Sequence, residues 1–366
     1  MKWKQQVYNM KAYQPGKPIE EVKKEFGLDE VVKLASNENP YGFSPKVKAF
    51  LEHDHSNHAI YPDGYAQDLR TAVANHLNVQ ETQVIFGNGS DDLIAIITRA
   101  LLYPGVNTVM ATPSFSQYRH NAEIEGAEVR EIPMQNGKHD LVAMLDAIDE
   151  KTSVVWVCNP NNPTGTIVSD DELQNFLSKV PSEVLVVLDE AYYEYVNSPD
   201  HKETRSYIDK YPNIIVLRTF SKAYGLASFR VGYGFAQEEV ISKLDAVRAP
   251  FNNTILSQKV AITALDDQTF INECREKNEA GKKQYIEFCE KHNLNYYPTE
   301  TNFILFEVKA DSDVVFKEMM KRGFIIRSGN ALGIPGFIRV TIGTEEQNGK
   351  FLSLLEEVLT EQGVFA

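Results

Sequence analysis

The stretch VLVVLDEAY, residues 184–192, is a five-residue apolar run that ends on a carboxylate. Four more runs of this kind recur along the chain, each followed by a polar or glycine-rich turn and then an amphipathic stretch. They lie at 83–86, 108–111, 154–158 and 214–217. Near-continuous apolar strands that alternate with helical segments are typical of a mostly parallel sheet with helices on both faces. The sequence therefore predicts an α/β fold.

The last hundred residues differ in pattern and predict a smaller α+β domain, to which the N-terminal arm returns. Its predicted elements are a charged helix at 272–292, an apolar run at 302–306, a helix at 311–322, and strands at 324–327 and 337–342. We expect a large domain at 46–269 and a small domain built from 1–45 and 270–366.

Composition excludes several classes of protein. The chain has 366 residues, a net charge of −14 and no block of basic residues, which argues against binding to nucleic acid or to an anionic membrane. The first residues lack the apolar stretch of a signal peptide, and no run approaches the ~18 apolar residues of a membrane helix. We expect a soluble, cytoplasmic protein.

Neither the cysteines nor a histidine-rich segment predicts a metal site. The three cysteines, Cys158, Cys274 and Cys289, have no metal-type spacing. The segment HDHSNH at 53–58 is polar and lacks a second ligand cluster, so a solvated connection is the better interpretation. We predict no bound metal.

The residues that follow the five apolar runs are candidates for a site, because ligands bind beyond the carboxyl ends of the strands in an open parallel sheet. These segments are GNGSD at 87–91, TPSF at 112–115, NPNNPTG at 159–165, DEAY at 189–192 and RTFSK at 218–222. Together they offer a helix N-terminus suited to an anion, an aromatic ring, an amide, a carboxylate, a phenol and a lysine.

Each candidate has a functional and a structural interpretation. Asp189 either faces a pyridine nitrogen and keeps it protonated, or is a capping or paired structural carboxylate. Tyr192 either donates to a ring oxygen or packs in the core. Lys222, beside Ser221, can attack a carbonyl ligand, although most lysines are surface charges. Arg230, in a glycine-rich context, suits an anion next to that lysine.

The segment SKAYGL at 221–226, with Arg230 and Gly232 after it, resembles the cofactor-lysine signature of the class I/II aminotransferases, which have pyridoxal 5'-phosphate (PLP) fold type I. NPNNPTG and DEAY resemble that family's amide and carboxylate–phenol motifs, in the expected order. The resemblance implies a large domain with a mostly parallel seven-stranded sheet covered by helices, a smaller α+β domain, and a homodimer.

The resemblance also implies the roles of single residues. It makes Lys222, Asp189 and Tyr192 the catalytic residues, with PLP held covalently on Lys222. Asp189 would pair with the ring nitrogen, Asn162 and Tyr192 would contact the ring hydroxyl, and Phe115 would stack on the ring. The residues implied for the cofactor phosphate are Gly89, Ser90, Asp91, Ser221 and Arg230, and Tyr61 of the other subunit.

Within the family, LASNENPYG at 34–42, TNFI at 301–304, and Arg327 followed by IRVTIGT at 338–344 resemble the branch that acts on histidinol phosphate. This likeness implies amino transfer between histidinol phosphate and 2-oxoglutarate, which yields glutamate, in histidine biosynthesis. The implied substrate-binding residues are Tyr13, Asn39, Asn162, Arg327 and Arg339.

The two arginines interrupt or end apolar strands, where guanidinium groups need anionic partners, and structural ion pairs are the alternative. Tyr13 closes over the substrate or is a surface aromatic. Alternative functions are an aromatic amino acid aminotransferase and a PLP-dependent threonine-phosphate decarboxylase. A regulatory PLP-binding domain would normally carry a basic DNA-binding segment, which this sequence lacks.

Overall fold

This computed structural model describes residues 1–10 and 16–365, in which there are twelve strands and thirteen α-helices. The strands are β1 Val32–Lys33, β2 Val84–Gly87, β3 Asn107–Thr112, β4 Glu128–Pro133, β5 Thr152–Cys158, β6 Leu185–Asp189, β7 Ile214–Thr219, β8 Gly232–Ala236, β9 Phe303–Glu307, β10 Phe324–Ile325, β11 Arg327–Ser328 and β12 Phe337–Thr341. The helices are α1 Ile19–Phe26, α2 Pro45–Glu52, α3 Gln67–Leu77, α4 Ser90–Leu101, α5 Gln117–Glu125, α6 Leu141–Asp146, α7 Asp170–Leu177, α8 Tyr207–Lys210, α9 Glu238–Asp245, α10 Ile255–Leu265, α11 Gln268–Lys291, α12 Ser312–Lys321 and α13 Glu345–Glu361.

The large sheet has seven strands in the order β2-β8-β7-β6-β5-β3-β4. Only β8 runs antiparallel to its neighbours, so the carboxyl ends of the other six meet at one edge. The predicted α/β fold with a mostly parallel seven-stranded sheet is confirmed. The five predicted runs became β2, β3, β5, β6 and β7.

Apolar layers cover both faces of this sheet. Along β6, Leu185 and Val187 face one buried cluster while Val186 and Leu188 face the other. Burial on both faces explains why the run is continuously apolar, since a strand that faced water would alternate. Asp189 follows directly, and is therefore placed at the end of a fully buried strand.

The second lobe is built on an antiparallel sheet of order β11-β12-β9, which packs with α11, α12 and α13. The N-terminal arm reaches this lobe through β1, which pairs in parallel with β10. The prediction of one strand at 324–327 was wrong, because β10 and β11 pair with different partners and Ile326 lies between them. The helix predicted at 272 begins at Gln268. The domain boundaries at 46–269 and 270–366 stay a prediction.

Candidate active site

The ends of β5, β6 and β7 bring a thiol, a carboxylate and a lysine to the same edge of the large sheet. In the strand register Cys158 lies opposite Asp189, and Asp189 lies opposite Leu217, five residues before Lys222 (222 − 217). The sequence-predicted residues at the strand ends therefore meet because parallel neighbours end together.

Asp189 is a buried carboxylate with a hydrogen-bond donor on each oxygen. It is 3% exposed. The Tyr118 hydroxyl donates to its Oδ2 at 2.6 Å, and the Ala191 amide donates to its Oδ1 at 3.2 Å. Burial raises the pKa of Asp189 to about 6, although both donors oppose that shift. The carboxylate is thus held in a defined orientation and attracts a positive or proton-bearing partner.

Lys222 is partly buried, and its amino group lies among groups of the N-terminal arm and of the segment that follows β6. Its Nζ donates to the Ser36 carbonyl oxygen at 3.1 Å and lies 5.7 Å from the centre of the Tyr192 ring. Burial, and next the charge of Arg339, lower the pKa of Lys222 to about 8. A lysine in this state supplies a neutral, nucleophilic amine near neutral pH far more readily than an exposed one.

An open helix N-terminus forms the anion-binding part of the edge. Gly89 precedes α4 with φ +82°, and no side chain caps the helix. A methyl group on Gly89 would overlap the guanidinium of Arg230, and one on Gly232 would lie 2.6 Å from the Ser90 nitrogen. Small residues therefore leave room for a ligand to approach the first amide groups of α4, where the helix dipole favours negative charge.

Arg230 and Ser221 face this helix end. Arg230 has the left-handed φ of +51°, and its Nη1 donates to the Ser221 hydroxyl at 3.3 Å. Its Nη2 lies 3.8 Å from Oδ2 of Asp91. A cation, a hydroxyl and free helix amides thus converge on one volume, which suits a phosphate group.

Arg339 joins the two lobes at the far side of the site. Its Nη1 donates to Oδ1 of Asn162 at 2.6 Å, and its Nη2 donates to the Ala35 carbonyl at 2.8 Å. Arg327 lies directly opposite Arg339 in the β11–β12 pair. Like charges opposite each other on a sheet repel, and no carboxylate of the described residues is within ion-pair distance of Arg327. An anion beside Arg327 would relieve this repulsion.

Tyr192 and Phe115 are also placed at this edge. The Tyr192 hydroxyl accepts a hydrogen bond from Nδ2 of Asn37 at 2.9 Å, and burial raises its pKa. Phe115 lies edge-on to Tyr118, with 5.6 Å between the ring centres. The structure thus brings these two predicted residues to the same edge as Asp189 and Lys222.

Two predicted residues, Asn39 and Tyr61, have other contacts in the single chain, and a third is not described. The Asn39 amide donates to the Ala223 carbonyl at 2.8 Å, so it ties the arm to the segment after Lys222, and its predicted substrate contact stays untested. Tyr61 is 80% exposed and stacks on Phe251 outside this group. Tyr13 lies outside the described residues.

Sequence reasoning missed two contacts of the site. Tyr118 was not singled out, although it lies three residues after Phe115 and its amide donates to the Phe115 carbonyl. Asn37 was not singled out either, although it lies in the same motif as Asn39, and its amide contacts Tyr192. Asn37 has a left-handed φ of +57°, but a backbone angle of this kind cannot be read from a sequence.

The 53–58 segment forms local contacts and also contacts α10, since Nζ of Lys259 donates to the Ser56 hydroxyl at 2.7 Å. Asp54 pairs with Ser56 and His58, and within the described ranges no group of three or more histidine, cysteine or acidic side chains is arranged to hold a metal ion. No helix in residues 1–10 and 16–365 is long and apolar enough to cross a membrane.

Comparison with known proteins places this site in context. Residues 29–355 match the family model described as aminotransferase class I and II. The chain is 70% identical over its full length to histidinol-phosphate aminotransferase of Lysinibacillus sphaericus, which it covers completely. It is 57% identical to that of Bacillus subtilis, over 98% of this chain and 100% of the other. The structure of histidinol-phosphate aminotransferase from Sinorhizobium meliloti in complex with pyridoxal-5'-phosphate superposes with a TM-score of 0.89 at 25% identity, over 98% of both chains.

We predict that Lys222 reacts with acetic anhydride, in trace labelling of the cofactor-free protein, with a midpoint near pH 8. Burial and the Arg339 charge disfavour the ammonium form, so reactivity rises as the pH passes through about 8. The measurement is peptide mass spectrometry across pH. Arg339→Gln should move the midpoint upward, whereas Arg322→Gln, at a residue that pairs with Glu318 and Glu361, should leave the midpoint unchanged. A midpoint near the ordinary 10.5 contradicts the prediction.

Proposed function

This chain belongs to the histidinol-phosphate aminotransferases of the class I and II aminotransferase family, and on that premise we propose its reaction. It transfers the amino group of L-histidinol phosphate to 2-oxoglutarate, giving imidazole acetol phosphate and glutamate, in the biosynthesis of L-histidine. The cofactor is pyridoxal 5'-phosphate, and the enzyme acts in the cytoplasm.

The residues at the sheet edge fit this cofactor. A side chain on Gly89 would overlap Arg230, so this glycine lets the guanidinium lie beside the first turn of α4, and these groups with Ser221 are the donors that a phosphate needs. The buried carboxylate of Asp189 suits a protonated pyridine nitrogen, and the amine of Lys222 suits a carbonyl. A cation, a carboxylate and a lysine thus match three chemically distinct ends of one molecule.

The chemistry that pyridoxal 5'-phosphate supplies when bound is an electron sink for the negative charge left by loss of a proton. The chain does the rest. Asp189 would hold a proton at the pyridine nitrogen, Tyr192 and Asn162 would orient the ring oxygen, and Phe115 would cover the ring face. Lys222 would hold the cofactor through its amine, and the same amine would carry the proton between the two carbon atoms that exchange it.

The position of Arg327 directly opposite Arg339 on neighbouring strands is the observation on which the substrate assignment rests. Histidinol phosphate presents a dianionic phosphate where glutamate presents a carboxylate, and guanidinium groups bind both in a forked geometry. Arg339 is held in place by Asn162 and Ala35, and Arg327 has no carboxylate partner among the described residues. Relatives at 55–70% identity with the histidinol-phosphate name favour this substrate over aromatic amino acids and over decarboxylation of threonine phosphate.

The exposed aromatic surface around Tyr61 supports a homodimer. Tyr61, Ile60, Tyr65 and Phe251 are all exposed in the single chain, and an apolar patch of this kind is commonly an interaction surface. Phe251 precedes Asn252 and Asn253, whose amides donate to the carbonyls of Phe86 and Gly87 at the end of β2. A partner on this face would therefore reach the neighbourhood of the phosphate cradle, as proposed for Tyr61.

A transamination panel tests the proposed reaction. We expect 2-oxoglutarate to accept the amino group from histidinol phosphate with the highest kcat/KM, ahead of phenylalanine, tyrosine and threonine phosphate, because only histidinol phosphate offers an amine, an imidazole and a phosphate together. Lys222→Ala is the matched control without turnover. A preference for tyrosine or phenylalanine would make the protein an aromatic aminotransferase, and carbon dioxide released from threonine phosphate would make it a decarboxylase.

We predict that Arg327→Ala lowers kcat/KM for the phosphorylated substrate more than kcat/KM for glutamate. A charge-assisted hydrogen bond contributes roughly 1.5–3 kcal/mol, so kcat/KM for histidinol phosphate should fall about ten- to a hundred-fold. Arg339→Ala should weaken both half-reactions. The ratio of kcat/KM for histidinol phosphate and glutamate is the readout, with Arg322→Ala, which pairs with Glu318 and Glu361, as the control. Changes below about two-fold in both variants would make the arginines structural.

We predict that inactive Tyr61→Ala and inactive Lys222→Ala regain partial activity when mixed. Each hybrid dimer would contain one site with both native residues, because Tyr61 is contributed by the other subunit. The test requires that Tyr61→Ala alone is clearly impaired, and subunit exchange is followed by native mass spectrometry. Exchange without recovered activity contradicts a shared site.

A further inference from the structure

Tyr118 is the one side-chain hydroxyl that donates to Asp189 among the described residues, and the proposed reaction has not used it. It lies on α5, is 1% exposed, and its hydroxyl is 2.6 Å from Oδ2 of Asp189. The other carboxylate oxygen receives only the Ala191 amide, at 3.2 Å. The shorter contact is the length expected of a hydroxyl that donates to an ionised carboxylate.

The Tyr118 ring is fixed by its neighbours. It stacks on Trp156 with 4.8 Å between ring centres and 14° between planes, and Phe115 meets it edge-on. Trp156 is fixed in turn, since its Nε1 donates to the Thr108 hydroxyl at 2.8 Å and that hydroxyl donates to the Val154 carbonyl. The phenol therefore has little freedom to leave Asp189, and its direction is set by the central strands of the sheet.

The surroundings of Asp189 leave Tyr118 as the neutral donor at working pH. Burial holds the pKa of Tyr118 well above its usual range and raises that of Cys158 to about 12, and burial raises that of Tyr192 as well. The charges of Asp91 and Glu190 also disfavour ionisation of Asp189. The phenol and the Ala191 amide oppose these effects. Without the phenol, the long hydrogen bond from the Ala191 amide would be left to oppose the effects of burial and of like charge on the pKa of Asp189.

We propose that Tyr118 is a positioning residue that, through its hydrogen bond, keeps Asp189 ionised and aimed at the pyridine nitrogen of the cofactor. The inference rests on the proposed function for the identity of that cofactor. A donor on the carboxylate stabilises its negative charge, which favours the proton on the ring nitrogen over the proton on the carboxyl group. The phenol thereby sets how strongly the site withdraws electrons, without touching the substrate.

Two variants separate the hydroxyl from the ring. Tyr118→Phe keeps the stacking on Trp156 and removes only the donor. Replacing Tyr118 with 3-fluorotyrosine keeps the shape and makes the phenol a stronger donor. Tyr285→Phe is the matched control, because Tyr285 is equally buried and its hydroxyl donates to Asn348 at 3.1 Å in the small lobe. A role of Tyr118 in packing alone predicts no difference between the phenol, fluorophenol and phenyl groups at this position.

The first measurement follows the Asp189 carboxyl in the full-length cofactor-free chain, by carbon-13 NMR of labelled aspartate assigned with Asp189→Asn. Tyr118→Phe should raise its midpoint by about one pH unit, equivalent to a ten-fold change in proton affinity. Fluorotyrosine at position 118 should lower the Asp189 midpoint, and Tyr285→Phe should leave it unchanged. An Asp189 midpoint that is the same in the parent, Tyr118→Phe and fluorotyrosine proteins overturns the proposal.

The second measurement uses the loaded enzyme. Tyr118→Phe should change the visible absorption of the bound cofactor and the pH at which that absorption titrates. It should also lower the steady-state kcat about ten-fold, while KM changes less. Unchanged spectra and rates overturn the proposal even if the NMR midpoint moves. Borohydride reduction of the parent separates the two claims: absence of pyridoxyl mass on the Lys222 peptide sinks the proposed function, whereas normal labelling with an unmoved Asp189 midpoint sinks the role of Tyr118 alone.

Discussion

A carboxylate buried at the end of an apolar strand is the constraint on which the site depends. Ionised groups in a protein interior are costly unless donors or cations face them. Asp189 is in this position because the strand before it is buried on both faces, and two donors face it, the Tyr118 phenol and the Ala191 amide. Burial makes the carboxylate responsive to a protonated ring nitrogen, and the donors keep it from becoming an ordinary neutral acid.

The second constraint is that the site lies between two lobes. Arg339 of the small lobe donates to Asn162 of the large lobe, and Asn37 of the N-terminal arm donates to Tyr192. The Glu300 amide donates to the Gly165 carbonyl beside Asn162. The groups that would orient the cofactor ring are thus positioned by contacts across the lobe boundary. The geometry of the site therefore depends on how the two lobes pack against each other.

Much of this organisation could be predicted from the sequence because it follows local pattern. Continuous apolar runs predicted five strands, and polar residues after them predicted the site at their carboxyl ends. The edge strand β4 was missed because its residues alternate and are half exposed, and β8 because its two glycines lower the strand signal. The side-chain donors to Asp189 and Tyr192, Tyr118 and Asn37, were missed because they come from segments far away in the chain, and only the fold brings them together.

The site separates two ways of holding an anion. At the start of α4 the donors are backbone amides fixed by small residues, with Arg230 beside them, and this rigid cradle suits a phosphate that stays bound. At the other side, Arg327 and Arg339 lie opposite each other on antiparallel strands, and guanidinium groups can bind either a carboxylate or a phosphate. A transaminase must accept two different substrates in turn while it retains one cofactor. In a chain with a net charge of −14, backbone amides at one end and guanidinium groups at the other meet both requirements.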